Sequence, residues 1–95
     1  MVNMQAPTGD AHQGEQTFRS VRTLLCAKFE VDATVVHWGA DLVADLGIER
    51  ADLSYLALAL EEAFDINIST HEASQIVTVR DAVNCVLRRR TQPKQ

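Results

Sequence analysis

Cysteine is scarce in this 95-residue chain: Cys26 and Cys85 are the only two, and they stand outside any CxxC spacing. Neither a disulfide framework nor a zinc site is expected from such a pair. Neither has an adjacent basic residue or a helix N-terminus to lower its pKa, so packing is expected of both rather than reactivity. Long apolar runs are missing as well. Nothing approaches the roughly 20 consecutive apolar residues that cross a bilayer, and residues 1–14 have neither the basic nor the apolar region of an export signal. The expectation is a soluble, cytoplasmic, unprocessed chain with no membrane span and with its cysteines as thiols. Basic charge is in deficit, nine Lys and Arg against 13 Asp and Glu, for a net charge of -4 and a pI near 5.2. That balance does not suit a phosphate backbone, so no nucleic-acid partner is expected.

The motifs of catalysis are absent too. Gly9, Gly14, Gly39 and Gly47 are isolated, which leaves no Gly-rich phosphate loop and no GxSxG or GxGxxG. His12, His37 and His71 have no HxxxH or HExxH partner, so no metal site is expected. Glu61 and Glu62 are paired carboxylates, but neighbouring helix positions point about 100° apart and cannot share a substrate. The chain is not expected to be an enzyme.

What is present is unevenly placed charge. From Glu30 to Asp81 eleven acidic side chains face only Arg50 and Arg80, a local balance of -9, whereas residues 82–95 carry Arg88, Arg89, Arg90 and Lys94 without an acid. A surface of this kind steers basic partners toward it. The plainer reading is a solvated acidic face that confers solubility.

Apolar periodicity predicts three main helices. Phe18, Val21, Leu24, Leu25 and Phe29 recur at helical spacing over Glu15–Phe29. Leu53, Leu56, Ala57, Leu60 and Phe64 do so after Asp52, which is expected to be the N-cap. Val79, Ala82, Val83, Val86 and Leu87 form the third stripe. Ser69 with Glu72, and Thr78 with Asp81, have the form of capping boxes, the first opening a short helix over about 70–75. Residues 30–50 hold Val31, Val35, Val36, Trp38, Leu42, Val43 and Leu46 without a period, which predicts a long loop pinned by apolar side chains. No strand is expected. The architecture read from the sequence is all-α, a small four-helix bundle of three main helices and one short one, spanning 15–90. Residues 1–14 are expected to be disordered and 91–95 to form a flexible tail. Helical projection turns Ser54, Tyr55, Leu58 and Glu62 outward, making Tyr55 and Leu58 either a docking patch or a cover for the loop. The arginine run suits a helix C-terminus or a partner.

Leu42-Val43-Ala44-Asp45-Leu46-Gly47, then Ala59-Leu60-Glu61-Glu62-Ala63-Phe64-Asp65-Ile66-Asn67-Ile68, Glu72-Ala73 and Ile76 through Val83 together resemble the acyl carrier protein family. The resemblance covers 42–83 closely and the first helix loosely. It implies a four-helix carrier fold, an acidic second helix that docks on basic patches of partner enzymes, and a 4′-phosphopantetheine arm bearing acyl thioesters. The family's loop reads Leu-Gly-x-Asp-Ser-Leu, with the arm on the serine. This chain reads Leu46-Gly47-Ile48-Glu49-Arg50-Ala51. Arg50 stands at the attachment position, and a guanidinium protonated below about pH 12 has no lone pair with which to attack phosphorus. No cofactor is therefore expected unless Ser54, one turn later, takes the arm. That shift breaks the match at Glu61-Glu62-Ala63-Phe64. The expected role is that of a non-carrying, monomeric docking or regulatory module. Its partner surface is read as Asp45, Glu49, Asp52, Tyr55, Leu58, Glu61, Glu62 and Asp65, and its partners as synthases, acyltransferases or similar acyl-carrier-dependent enzymes. The alternative is a true carrier of fatty-acid, lipid or polyketide metabolism acting through Ser54.

Overall fold

In the computed structural model, which describes residues 9–91, four helices follow in order: α1 (Gly9–Phe29), α2 (Leu53–Phe64), α3 (Thr70–Ser74) and α4 (Val79–Thr91). Three-residue 3-10 turns lie at Ala33–Val35 and Arg50–Asp52. The helical class and the count of three main helices and one short one are as expected. Helix α1 starts at Gly9, upstream of the expected Glu15. The added turns have only Ala11 as an apolar residue, too little to mark them, and the glycine inside, Gly14, costs a helix only about 1 kcal/mol. Residues 1–8 and 92–95 of the expected flexible ends lie outside the described residues.

The core forms where the stripes meet. Val21, Leu24 and Leu25 of α1 are buried with Leu56, Ala59 and Leu60 of α2 and with Val79, Ala82, Val83, Cys85 and Val86 of α4. Helices α1 and α4 make the largest interface, and α2 packs on α3 and α4. The ends of the stripes, Phe18, Phe29, Phe64 and Leu87, are only partly buried. Burial pushes the Cys85 thiol up, which fits a packing role; Cys26 is half-buried.

The long connection is pinned, but by a subset of its apolar residues. Val31, Val36, Ala40, Leu42 and Ile48 are buried, while Val35 and Trp38 are exposed. Its backbone is also paired with the start of α4: the amides of Leu42, Val79 and Arg80 donate to the carbonyls of Val77, Ala40 and Trp38, each at 2.9 Å. Among the described residues the only strand-like pairing is the isolated bridge Asp41–Thr78.

Both expected capping boxes are formed. Ser69 Oγ accepts from the Glu72 amide at 3.1 Å while Glu72 Oε1 accepts from the Ser69 amide at 3.2 Å. The same Oε1 accepts from Arg89 Nε at 2.9 Å, which ties the short α3 to α4 and holds the Glu72 carboxyl below its ordinary value. At the next helix, Asp81 Oδ2 accepts from the amides of Val77 and Thr78 at 3.0 Å each, and the Asp81 amide donates to Thr78 Oγ1 at 3.1 Å. Partial burial works to raise the Asp81 carboxyl, but these amides more than offset it and the net direction is down. The arginines at the end of α4 are built into the packing. Besides the Arg89 pair, Arg90 donates to Oγ1 of the buried Thr17 at 3.3 Å and lies over the Phe64 ring, 5.9 Å from its centroid.

Candidate docking surface

The approach to α2 is a turn that satisfies its own backbone. Asp41 Oδ1 accepts from the amides of Val43 and Ala44 at 2.9 and 2.8 Å, and Asp45 Oδ2 accepts from the Asp41 amide at 2.8 Å. Asp45 is thus exposed but already committed to one backbone amide. The turn closes at Gly47, whose φ of +77° is left-handed and suits glycine. Ile48 then anchors the chain in the core, its amide donating to the Leu42 carbonyl at 3.0 Å. This places Glu49 and Arg50 in solvent at the mouth of α2.

Asp52 occupies the N-cap position but makes no side-chain cap. Its φ and ψ of -88° and -3° continue the 3-10 turn, whereas a capping side chain needs extended backbone to swing over the helix. The expected capping role is thereby corrected. Its carboxylate is exposed instead.

Along α2 the projection holds. Tyr55 and Leu58 are 49% and 57% exposed, and Ser54 and Glu62 also face water. The Tyr55 ring meets that of Phe29 edge-on, with centroids 5.4 Å apart. Glu61 points elsewhere: it is half-buried, and its Oε2 accepts from the Ile68 amide at 2.7 Å, fastening the segment after the helix. Asp65 terminates α2 in the left-handed conformation, φ 55°, with its amide donating to the Glu61 carbonyl. Tyr55, Leu58 and Glu62 therefore form one exposed flank, with Asp52 and Glu49 at its leading end. Asp45 and Glu61 have backbone duties that sequence reasoning missed.

A cleft of about 460 Å³ opens beside the leading end, between the last residues of α1 and the start of α2. Glu49, Asp52 and Tyr55 line it together with Phe29, Glu30 and Ile48. The contribution of α1 was not legible in the sequence, because nothing local says that residue 29 meets residue 55. A second cleft, about 520 Å³, lies at the other end of α2 between Arg19, Phe64 and Arg90. Among the described residues no group of three or more His, Cys, Asp or Glu side chains is placed to hold an ion. No described helix is long and apolar enough to cross a membrane.

Residues 19–86, more than half of the chain, match the family described as "Phosphopantetheine attachment site". The chain belongs to the acyl carrier protein family. It is 33% identical over 69 residues to the acyl carrier protein of Campylobacter concisus, an overlap of 73% of this chain and 90% of that protein. The acyl carrier protein of Solidesulfovibrio magneticus is 38% identical over 66 residues, covering 70% and 85% of the two chains. That of Clostridium acetobutylicum is 33% identical over 69 residues, covering 73% and 90%. Members of the acyl carrier protein family are carrier-type proteins, not enzymes, and their prosthetic group is 4′-phosphopantetheine. The four-helix arrangement is this chain's version of that fold.

Proposed function

We propose that this chain is a non-carrying member of the acyl carrier protein family, a cytoplasmic monomer that docks through the leading end and outer flank of α2 on basic patches of acyl-carrier-dependent enzymes. The observation that carries the reading is Arg50. Matched to the family's loop it takes the serine's position, and it stands exposed at the mouth of α2, where a transferase would need a hydroxyl. A guanidinium does not fit the arm, since it offers no nucleophilic lone pair. The changes at Glu49 and Ala51 alter the whole recognition triplet. The flank of Tyr55, Leu58 and Glu62, with Glu49 and Asp52, supports docking, because exposed apolar groups among carboxylates suit a cationic partner. Ser54 is also exposed, so the alternative carrier reading retains a hydroxyl.

Intact mass after incubation with coenzyme A and a broad-specificity phosphopantetheinyl transferase tests both readings. An unchanged mass is expected. A stoichiometric adduct would overturn the non-carrying reading, and peptide mapping to Ser54 would establish the alternative. Restoring Glu49→Asp, Arg50→Ser and Ala51→Leu together is expected to restore modification.

A further inference from the structure

Trp38 is the only tryptophan of the chain, and it stands 42% exposed on the long connection. Its ring rests on that of Phe18 in α1, with centroids 6.2 Å apart and planes tilted by 53°. The guanidinium of Arg22 lies over the same Phe18 ring, 5.7 Å from its centroid. The Arg80 amide donates to the Trp38 carbonyl at 2.9 Å, which brings a second arginine to this corner. Val35, three residues before Trp38, is 41% exposed and adds apolar surface to the same short stretch. A lone surface tryptophan is ordinary. One held against a second ring beside two arginines is a defined chemical surface.

The polar groups of these three side chains are all donors. An indole has one N–H and no acceptor, and each guanidinium has five N–H groups and no acceptor. Among the described residues neither Arg22 nor Arg80 is in an ion pair, and the Trp38 indole N–H has no hydrogen bond. The acids nearest in sequence are already occupied. Asp32 accepts from the amide and hydroxyl of Thr34, Asp41 from the amides of Val43 and Ala44, and Asp81 from those of Val77 and Thr78. On α1 no acid stands three or four residues from Arg22, the spacings at which helix side chains meet. The corner therefore presents aromatic surface and uncompensated positive charge, in a chain whose middle is otherwise acidic.

We propose that the corner of Trp38, Arg22 and Arg80 docks an acidic segment of a partner protein, with one apolar side chain of that segment on the Trp38 ring and its neighbouring carboxylates taken by the two guanidiniums. Tryptophan and arginine are the residue types in which interfaces concentrate their binding energy. Arginine forks bind carboxylates through charge-assisted hydrogen bonds. Because Trp38 already rests on Phe18 in the free chain, less side-chain freedom is lost on binding. An acidic peptide carries its charge over a short stretch, whereas a nucleic acid would bring a long run of phosphates against a protein of net charge -4. The corner is separate from the flank of α2. Phe18 and Phe29, the ring that Tyr55 meets, stand eleven residues apart on α1, roughly 16 Å along the helix. The inference thus stands whether or not α2 docks on a basic partner.

With a single tryptophan in the chain, its fluorescence reads the site directly in the full-length protein. The probe is a capped peptide with leucine at its centre and glutamates on both sides, compared with the same peptide carrying glutamines. A saturable change with the acidic peptide is expected, weakening with added salt, and none with the glutamine peptide. Arg22→Gln and Arg80→Gln should each lower the affinity about tenfold, the loss of one charge-assisted hydrogen bond. Arg80 is exposed, so the melting temperature of Arg80→Gln should stay close to the parent's, and this variant decides the matter even if Arg22→Gln fails to fold. No saturable change, an equal response to the glutamine peptide, or undiminished affinity in Arg80→Gln would each overturn the proposal. A thymidine oligonucleotide that quenches Trp38 at lower concentration than the peptide does would overturn the protein partner in favour of a nucleic acid. Amide NMR shifts centred on Tyr55 and Leu58 with the acidic peptide would overturn the corner as its site.

Discussion

Helix α2 offers an internal control on its own orientation, because one substitution can be made at three leucines that differ only in surroundings. Leu56 and Leu60 are 1% and 0% exposed, whereas Leu58 between them is 57% exposed. Leucine and alanine have similar helix propensities, so Leu→Ala at any of the three leaves the backbone preference nearly unchanged. At Leu60 the change removes a fully buried side chain against α4 and the core, which costs about 2–5 kcal/mol in lost transfer energy and residual cavity. At about 0.05–0.15 kcal/mol per residue, a chain of 95 residues has some 5–14 kcal/mol of stability in total. One truncation therefore removes a third or more of it across much of that range. With each kcal/mol worth about 4–8 °C in a domain of this size, Leu60→Ala should lower the melting temperature by roughly 8 °C at the least. Leu58→Ala, on the water side, should stay within about 0.5 kcal/mol of the parent. Urea unfolding followed by circular dichroism measures the difference as a displaced midpoint at constant slope. Equal losses at Leu58 and Leu60 would show that the outer flank of α2 is not outside, and Leu58 would cease to be available to a partner.

Further outcomes follow from the caps and charges. Ser69→Ala should cost about 1 kcal/mol by breaking the capping box of α3, while Asp52→Ala should cost much less, since Asp52 makes no cap hydrogen bond. The carboxyls of Glu72 and Asp81 are both held below their ordinary values of 4.5 and 3.8, so they bind protons more readily unfolded than folded. Their stabilisation is complete above those values and is lost as pH falls through the lower folded ones; thermal melts from pH 5 downward should show a decline that Glu72→Gln makes shallower. In docking, Glu62→Lys should slow association with a basic partner several-fold and flatten its salt dependence, whereas Leu58→Ala should chiefly speed release, as stopped-flow measurements at two ionic strengths would resolve.

The parts of the fold legible in the sequence are those governed by local rules. The period of Leu53, Leu56, Ala57, Leu60 and Phe64 marked α2, and the Ser69–Glu72 and Thr78–Asp81 spacings marked two helix starts, because both signals act within a turn or two of backbone. The loop was different. Nothing in residues 30–50 says that Val36 goes inward and Val35 outward, since without a period the choice is made by the helices the loop crosses. Glu61 read as a surface acid like its neighbour Glu62, yet it serves the Ile68 amide, a partner seven residues on that only the bend after α2 brings within reach. Asp52 failed as a cap for a similar reason: the 3-10 turn before it sets a backbone angle that residue type does not reveal. Three of the residues lining the cleft at α2, namely Glu49, Asp52 and Tyr55, were among the expected partner residues. Phe29 and Glu30 were not, because they arrive from the end of α1 and the residue that follows it.

The pairing of the long connection with the start of α4 has a mechanical consequence. Joined at Asp41 and Thr78, the chain between them closes on itself like a buckled strap, with the turn before α2, α2 and α3 all inside the loop of the strap. Tension applied at either end of the protein passes through α1, α4 and the buckle and goes around this enclosed segment. A tag or neighbouring domain fused at either terminus, or a tether pulling from one, therefore puts no tension along the backbone of the turn before α2, of α2 or of α3 until the three hydrogen bonds of the buckle give way.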